Sequence, residues 1–273
     1  MKKEVLDKHK NNIKKYGFTI LRNCFLKEDV EQWKGKIIEY FSDENGNLTR
    51  NLNKNYRDGT EPTRPLALAD KHFHFLHVLW EDNDCTRVLK HLTDNDLMYI
   101  PQDDVHVDTV AGKGWHRDSL NNSTGRLAPN WKDLYAKTDF WSHPDGESYQ
   151  VYRVAIYCQD HVENLDGLYV KANSHSHDPV DSSKVIELYA KTKIGDVIIF
   201  DARLYHSGGS SNISKKNYRT AIFYNAGKNN VFSREHHHGA LARQKYQLEL
   251  DSYTISDELK EILSKNNIKY MVE

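Results

Sequence analysis

Apolar residues recur along this chain of 273 residues with two periods, and the change falls near residue 97. Before it the spacing is helical. Residues 3–15 read as a short polar helix, and Tyr16-Gly17-Phe18-Thr19-Ile20-Leu21 as a strand after a helix stop. "LKEDVEQWKGKIIEYF" (26–41) carries Val30, Trp33, Ile37, Ile38 and Phe41 on one helical face. Residues 66–80 and 84–93 are expected to be helical as well. From 97 onward the segments are β-rich: 97–110, 149–159, 167–172, 185–190, 196–206 and 218–225, with turn residues between them. Six or more such strands predict a mainly β fold with flanking helices, a sandwich or jelly roll. One domain spanning 1–273 is the economical reading. It has a helical N-terminal part (about 1–95), a β core (about 97–225) and a helical or irregular tail (226–273). The stretch 119–148 interrupts the rhythm and is expected to be a lid or binding loop, with Trp131 as a candidate substrate contact.

Composition narrows the function. Apolar residues make up 38% and charged residues 28%, with a formal net charge of −1, so neither nucleic acid nor a membrane surface is an expected partner. Cys24, Cys85 and Cys158 are far apart and form no paired motif, which fits a reducing compartment. The opening "MKKEVLDKHKNN" has lysines without a following apolar run, unlike a signal peptide, and no stretch approaches the length of a membrane span. A cytoplasmic protein is expected. Oligomeric state is not legible.

The candidate chemistry lies in the histidines, of which there are 15. Four sit two residues before an acid: His106-Val-Asp108, His116-Arg-Asp118, His143-Pro-Asp145 and His161-Val-Glu163. In a strand that spacing turns both side chains to one face, which favours the first two pairs. His143 falls in a turn, and His161 is expected in a solvated loop. Two imidazoles and one carboxylate form the facial set of non-haem Fe(II) oxygenases, so a second His from a later strand is required. His206 ends the apolar run of "GDVIIFDARLYHSGG", and Arg219 follows in "NYRTAIFY". A buried Arg needs an anionic partner, and its planar fork suits the distal carboxylate of 2-oxoglutarate. Asp104, His106 and Asp108 alternate along the strand leading to "WHRD" and, if inward, line a pocket. Arg153 shares a face with Val151, Ala155 and Tyr157; it is either a substrate contact or a salt bridge at a sheet edge. The run His236-His237-His238 cannot aim three adjacent side chains at one ion and is expected to be solvated.

The order "WHRD", "VENLDGLYVKANSHSHDP", "GDVIIFDARLYHSGG", "YRTAIFY" resembles the phytanoyl-CoA hydroxylase family of Fe(II)/2-oxoglutarate dioxygenases, over roughly residues 15–225. "GLYVKANSH" is similar to that family's Gly-x-Leu-x-Val-x-Pro-Gly-Ser-His segment, with Ala172-Asn173 in place of Pro-Gly. The resemblance implies a double-stranded β-helix (a cupin-like jelly roll), Fe(II) on His116, Asp118 and His206, and 2-oxoglutarate on Arg219. It implies O2 as cosubstrate, with ascorbate as an assisting reductant. The implied activity is hydroxylation of a C–H bond with release of succinate and CO2. Asp118 stands where related halogenases carry a small residue, which favours hydroxylation over halogenation. Desaturation, epimerisation or cyclisation with the same cofactors is one alternative, and a non-catalytic metal-binding jelly roll is another. Acids, His and aromatics around the expected pocket suit a small polar metabolite, and no basic cluster marks a coenzyme A site.

Overall fold

The computed structural model describes residues 1–48, 63–108, 114–118, 148–162, 167–176, 185–208 and 219–271, apart from the side chains of 63–67, 108 and 247. Helix α1 (Lys3–Tyr16) ends at Gly17, whose φ of +82° lets its N–H reach the carbonyl of Ile13. A Cβ at Gly17 would lie 2.6 Å from both His175 Nδ1 and Leu204 Cδ1, so the turn needs glycine for space as well as for backbone angle. The chain then enters β1 (Phe18–Leu21) and α2 (Lys27–Phe41). Strand β2 (Thr63–Ala67), a 3₁₀ helix (His74–Trp80) and α3 (Asp84–Leu92) follow, the last capped by the Asn83 side chain accepting from Thr86 N–H. The expectation of a helix over 66–80 is therefore corrected: its first residues form an edge strand and the rest is wound as 3₁₀.

Among the described residues, nine strands build two antiparallel sheets. The remaining seven are β3 (Leu97–Asp108), β4 (Val151–Tyr157), β5 (Leu168–Ala172), β6 (Ile186–Ala190), β7 (Val197–Asp201), β8 (His206–Gly208) and β9 (Arg219–Lys228). The large sheet has the order β1-β7-β4-β9-β3-β2 and the small one β6-β5-β8. Alternation sets the two faces of the large sheet. Val105, Val107, Val154, Ile156, Ile222 and Tyr224 point outward into a core shared with Val30, Trp33, Ile37 and Phe41 of α2. Ala155, Tyr157, Ile198, Phe200 and Ala221 point inward, against Leu168 and Val170 of the small sheet. This two-sheet arrangement is the jelly roll expected from the strand pattern.

Helix α4 (Val231–Leu248) packs on β3, and α5 (Asp257–Lys265) buries Leu259 and Leu263 in the core of the outer face. Beyond α5, Lys269 bridges β3 in parallel, its N–H bonded to Leu97 O (2.9 Å) and its carbonyl accepting from Tyr99 N–H (2.8 Å). Among the described residues no helix is long and apolar enough to cross a membrane.

Candidate metal centre

His116 and His206 face each other across an antiparallel bridge. Each donates its backbone N–H to the other's carbonyl, at 2.9 Å both ways. Residues so paired present side chains on the same side, and the two rings lie 4.3 Å apart between centroids. Asp118, two residues beyond His116, returns to that face. Its Oδ1 is 3.8 Å from His116 Nε2 and its Oδ2 is 3.6 Å from His206 Nε2. Both imidazoles are oriented by one local device. Nδ1 of His116 lies 2.8 Å from the Gly114 carbonyl, and Nδ1 of His206 lies 3.0 Å from the Leu204 carbonyl, each two residues back.

That orientation decides the chemistry. A carbonyl accepts only, so each Nδ1 carries a proton and each Nε2 is the nitrogen left to face Asp118. Asp118 is an acceptor too. Burial pushes its carboxyl up, but His206 and Arg153, then His116 and Arg243, outweigh that and leave it well below the ordinary carboxylate range. His206 is lowered to about 4, by burial and then by His116, and is neutral at pH 7. Two ring nitrogens and a carboxylate thus converge within 4.8 Å with no hydrogen bond among them. Such a set is repulsive alone and fits a divalent transition ion, with each His held by a carbonyl as metal-bound imidazoles usually are. The ring of His116 is 37% exposed and that of His206 only 7%, so the set opens to solvent on the His116 side.

Arg219 opens β9 and is buried. Its guanidinium lies 5.3 Å from the Tyr157 ring centroid, and a Cβ at Gly208 would come 3.5 Å from its Nη2. Gly208 is two residues after His206, on the same strand face, so Arg219 sits roughly 7 Å along that face from the His206 position. Its Cα partner on β3 is Asp108, whose side chain lies outside the described residues.

Arg153 is on β4, between β7 and β9 and far from any sheet edge. Its Nη2 donates to Asp104 Oδ2 (2.7 Å), its Nη1 to Asn225 Oδ1 (2.9 Å) and to Gln102 O (3.3 Å), and its Nε is 3.6 Å from Asp118 Oδ2. It therefore ties the β3 carboxylate to the candidate ligand. His106, buried, is edge-on to Phe223 at 5.3 Å, in the row flanking Asp104. Asp104 and His106 thus belong to the inner face; the alternation placed them on one side without deciding which. Trp131 lies outside the described residues, as does the expected lid.

Two expectations are corrected. His236 and His237 are buried on α4, and His236 Nε2 stands 2.9 Å from the Asn225 amide nitrogen and 3.0 Å from Gln102 Oε1. Burial lowers His236 to about 3, with Arg243 adding to the effect. His161 is fully buried, bridged to Thr192 and 2.7 Å from the Gln159 amide nitrogen. Of Gln102, Asn225 and His236, only the histidine had been singled out from the sequence, and as a solvated residue. The signal available for two of them was a polar residue at an inward position of an apolar strand.

No family model matches the chain, and no curated protein matches it in sequence. In structure it is similar to SnoN, a non-heme alpha ketoglutarate dependent epimerase from nogalamycin biosynthesis. The TM-score is 0.60 at 11% identity, over 83% of this chain and 84% of that one. It is similar to the non-heme alpha ketoglutarate dependent carbocyclase SnoK, with a TM-score of 0.56 at 11% identity over 84% of each chain. It is also similar to HygX from Streptomyces hygroscopicus, solved with nickel and 2-oxoglutarate, with a TM-score of 0.55 at 13% identity over 84% of this chain and 88% of that one. At these identities the likeness establishes the fold.

Proposed function

We propose that the protein is an Fe(II)- and 2-oxoglutarate-dependent oxygenase that hydroxylates a C–H bond of a small polar metabolite and releases succinate and CO2. One observation carries the reading: the Nε2 atoms of two carbonyl-anchored imidazoles and one carboxylate converge with no hydrogen bond among them, and a buried guanidinium lies farther along the same strand face. His116, Asp118 and His206 would hold the iron, leaving positions open for small ligands. When bound, iron supplies O2 activation and the oxidising power for C–H cleavage. Arg219 binds the distal carboxylate of 2-oxoglutarate through its fork; the stretch from the His206 position suits a five-carbon dicarboxylate with its keto acid end at the metal. Asp104, His106 and Arg153 form the polar wall that orients substrate, and Asp108 and Trp131 are further candidate substrate contacts. Arg153 also holds the Asp118 carboxylate in place.

SnoN has been solved with Fe3+, alpha ketoglutarate and nogalamycin RO, and HygX with nickel, 2-oxoglutarate and hygromycin B. These complexes support a small-molecule substrate here. An epimerase and a carbocyclase among the neighbours favour a second reading, the same cofactors with epimerisation or ring closure. The "WHRD" to "YRTAIFY" order supports kinship with phytanoyl-CoA hydroxylases. Pairing of β1 with β7, and of Lys269 with β3, supports one domain over the whole chain. Free Cys24, Cys85 and Cys158 support a cytoplasmic location.

The test is optical. Anaerobic Fe(II)-loaded protein should develop a visible charge-transfer band on adding 2-oxoglutarate. The band should be lost in His116→Ala, weakened in Arg219→Ala and kept in His106→Ala. Absence of a band in folded, iron-loaded wild type would refute the proposal. With the band in hand, succinate release would screen substrates.

A further inference from the structure

A second group of metal-binding side chains lies on the opposite flank of the sequence motifs, where the 3₁₀ helix His74–Trp80 meets α5. His74 and His77 are three residues apart, and in a helix with three residues per turn such side chains stack over one another. Their rings are 5.3 Å apart with planes tilted by 40°. Glu258, in the first turn of α5, closes the group from the other side. Its Oε2 is 2.8 Å from His74 Nδ1 and 3.5 Å from His77 Nδ1.

The group is asymmetric in a telling way. His74 and Glu258 are exposed, at 67% and 56%, whereas the His77 side chain is only 2% exposed. Neither ring nitrogen of His77 has a hydrogen-bond partner among the described residues. Burial lowers its basicity, against the opposing pull of Glu258, and Nδ1 is the ring nitrogen turned toward the carboxylate. A buried imidazole with no hydrogen bond, and only an ion-pair contact at 3.5 Å, is costly and calls for a ligand. The hydrogen bond from His74 is satisfied and exposed, and it can be exchanged for coordination by a shift of tautomer, with no net loss of a proton.

We propose that His74, His77 and Glu258 bind a divalent transition ion of the zinc class, independently of the His116 site. Two imidazoles and a carboxylate are its usual donors, and the exposed side leaves room for water as a further ligand. The ion joins the 3₁₀ helix to α5. The 3₁₀ helix carries Leu76, Leu79 and Trp80 into the core that also receives Leu259 and Leu263 of α5. Zinc therefore fastens the C-terminal segment to the outer face of the large sheet. This does not rest on the oxygenase reading, because no residue is shared between the two groups.

The experiment removes the first group and asks whether zinc still binds. His116→Ala/Asp118→Ala protein, stripped with chelator and dialysed against Zn2+, should take up one zinc per chain and gain thermal stability. Adding Glu258→Gln or His74→Ala, both at exposed positions that leave the core intact, should weaken zinc affinity at least tenfold and abolish the stability gain. Co2+ in place of Zn2+ should give a visible ligand-field spectrum that is lost in the same variants. No zinc uptake by the folded background protein would overturn the proposal. So would equal uptake after Glu258→Gln and His74→Ala.

Discussion

Arg153 links the pocket wall to the candidate metal centre, and its energetics can be worked from the distances. The guanidinium is 7% exposed and faces two carboxylates, Asp104 at 2.7 Å and Asp118 at 3.6 Å. At an effective dielectric near 20, pairs at such separations attract with gross energies on the order of 5 kcal/mol, most of it offset by desolvation. Leaving a buried charge with no counter-charge costs about 3–5 kcal/mol. Removing one carboxylate leaves the other within reach, so the single changes should be milder. Asp104→Asn should cost ~1–3 kcal/mol, because it replaces a charge-assisted hydrogen bond with a neutral one. Asp118→Asn should cost less, since its contact with Arg153 is an ion pair beyond hydrogen-bond range and its removal also relieves the crowding of acceptors.

The double change is the decisive one. It leaves Arg153 with neutral partners alone, among them the Asn225 and Gln102 oxygens, and no counter-charge. Its cost should therefore exceed the sum of the single costs by at least about 1 kcal/mol, a coupling within the range seen for residues sharing one network. The assay is urea unfolding of all four proteins in chelator, so that no metal contributes. Strict additivity would refute the argument that the two acids share one guanidinium. A stabilising Asp104→Asn would refute it as well.

Other consequences follow from particular contacts. Gly17→Ala combines a positive φ with a Cβ placed 2.6 Å from His175 and Leu204, so it should cost ~2–4 kcal/mol in urea unfolding. Gly208→Ala should be tolerated, its Cβ meeting Arg219 at 3.5 Å, whereas Gly208→Leu should displace the guanidinium and weaken 2-oxoglutarate binding at least tenfold while metal affinity is kept. Buried Asp70 and Asp103 are joined through Tyr253 and Tyr99, with contacts of 2.7 Å (Asp70–Tyr253), 3.3 Å (Tyr99–Tyr253) and 3.1 Å (Tyr99–Asp103). Burial raises Asp70 to about 6, and burial together with Asp70 raises Asp103 further. A carboxyl held above its unfolded value stabilises the fold at low pH and loses that contribution as pH climbs through the folded value. Stability should therefore fall by ~1–3 kcal/mol between about pH 4 and 7, and Asp103→Asn should flatten that slope in thermal melts.

The strands and the HxD…H…R order were legible because period-two alternation and motif spacing are local properties. "DVIIFDARLYH" reads as an apolar strand ending in a histidine wherever it is placed. What was not legible depends on partners distant in sequence. Residues 66–80 carry an apolar run that suits helix or strand equally, and only the edge of β3 makes Thr63–Ala67 a strand. The offset between Ile100 and Asp104 in the β3–β9 ladder is likewise set by the partner strand; it amounts to two residues, so Leu97, Tyr99, Val105 and Val107 still share the outer face.

The histidine run shows where geometric reasoning stops. Three consecutive helical residues do point in different directions, and that excludes one shared ion, but it does not make them solvated. Apolar residues are distributed around α4 without a clear stripe, so no pattern marks its buried side. His236 can be buried because Asn225 and Gln102 supply polar contacts, and both come from strands more than ten residues away. The Asn225 side chain and the Gln102 backbone carbonyl in turn accept from Arg153, which faces Asp118. Helix α4 is thus connected to the candidate metal centre by polar contacts rather than by apolar packing alone. Its placement is a condition for the charge balance at Asp118 that leaves three donors ready for a metal.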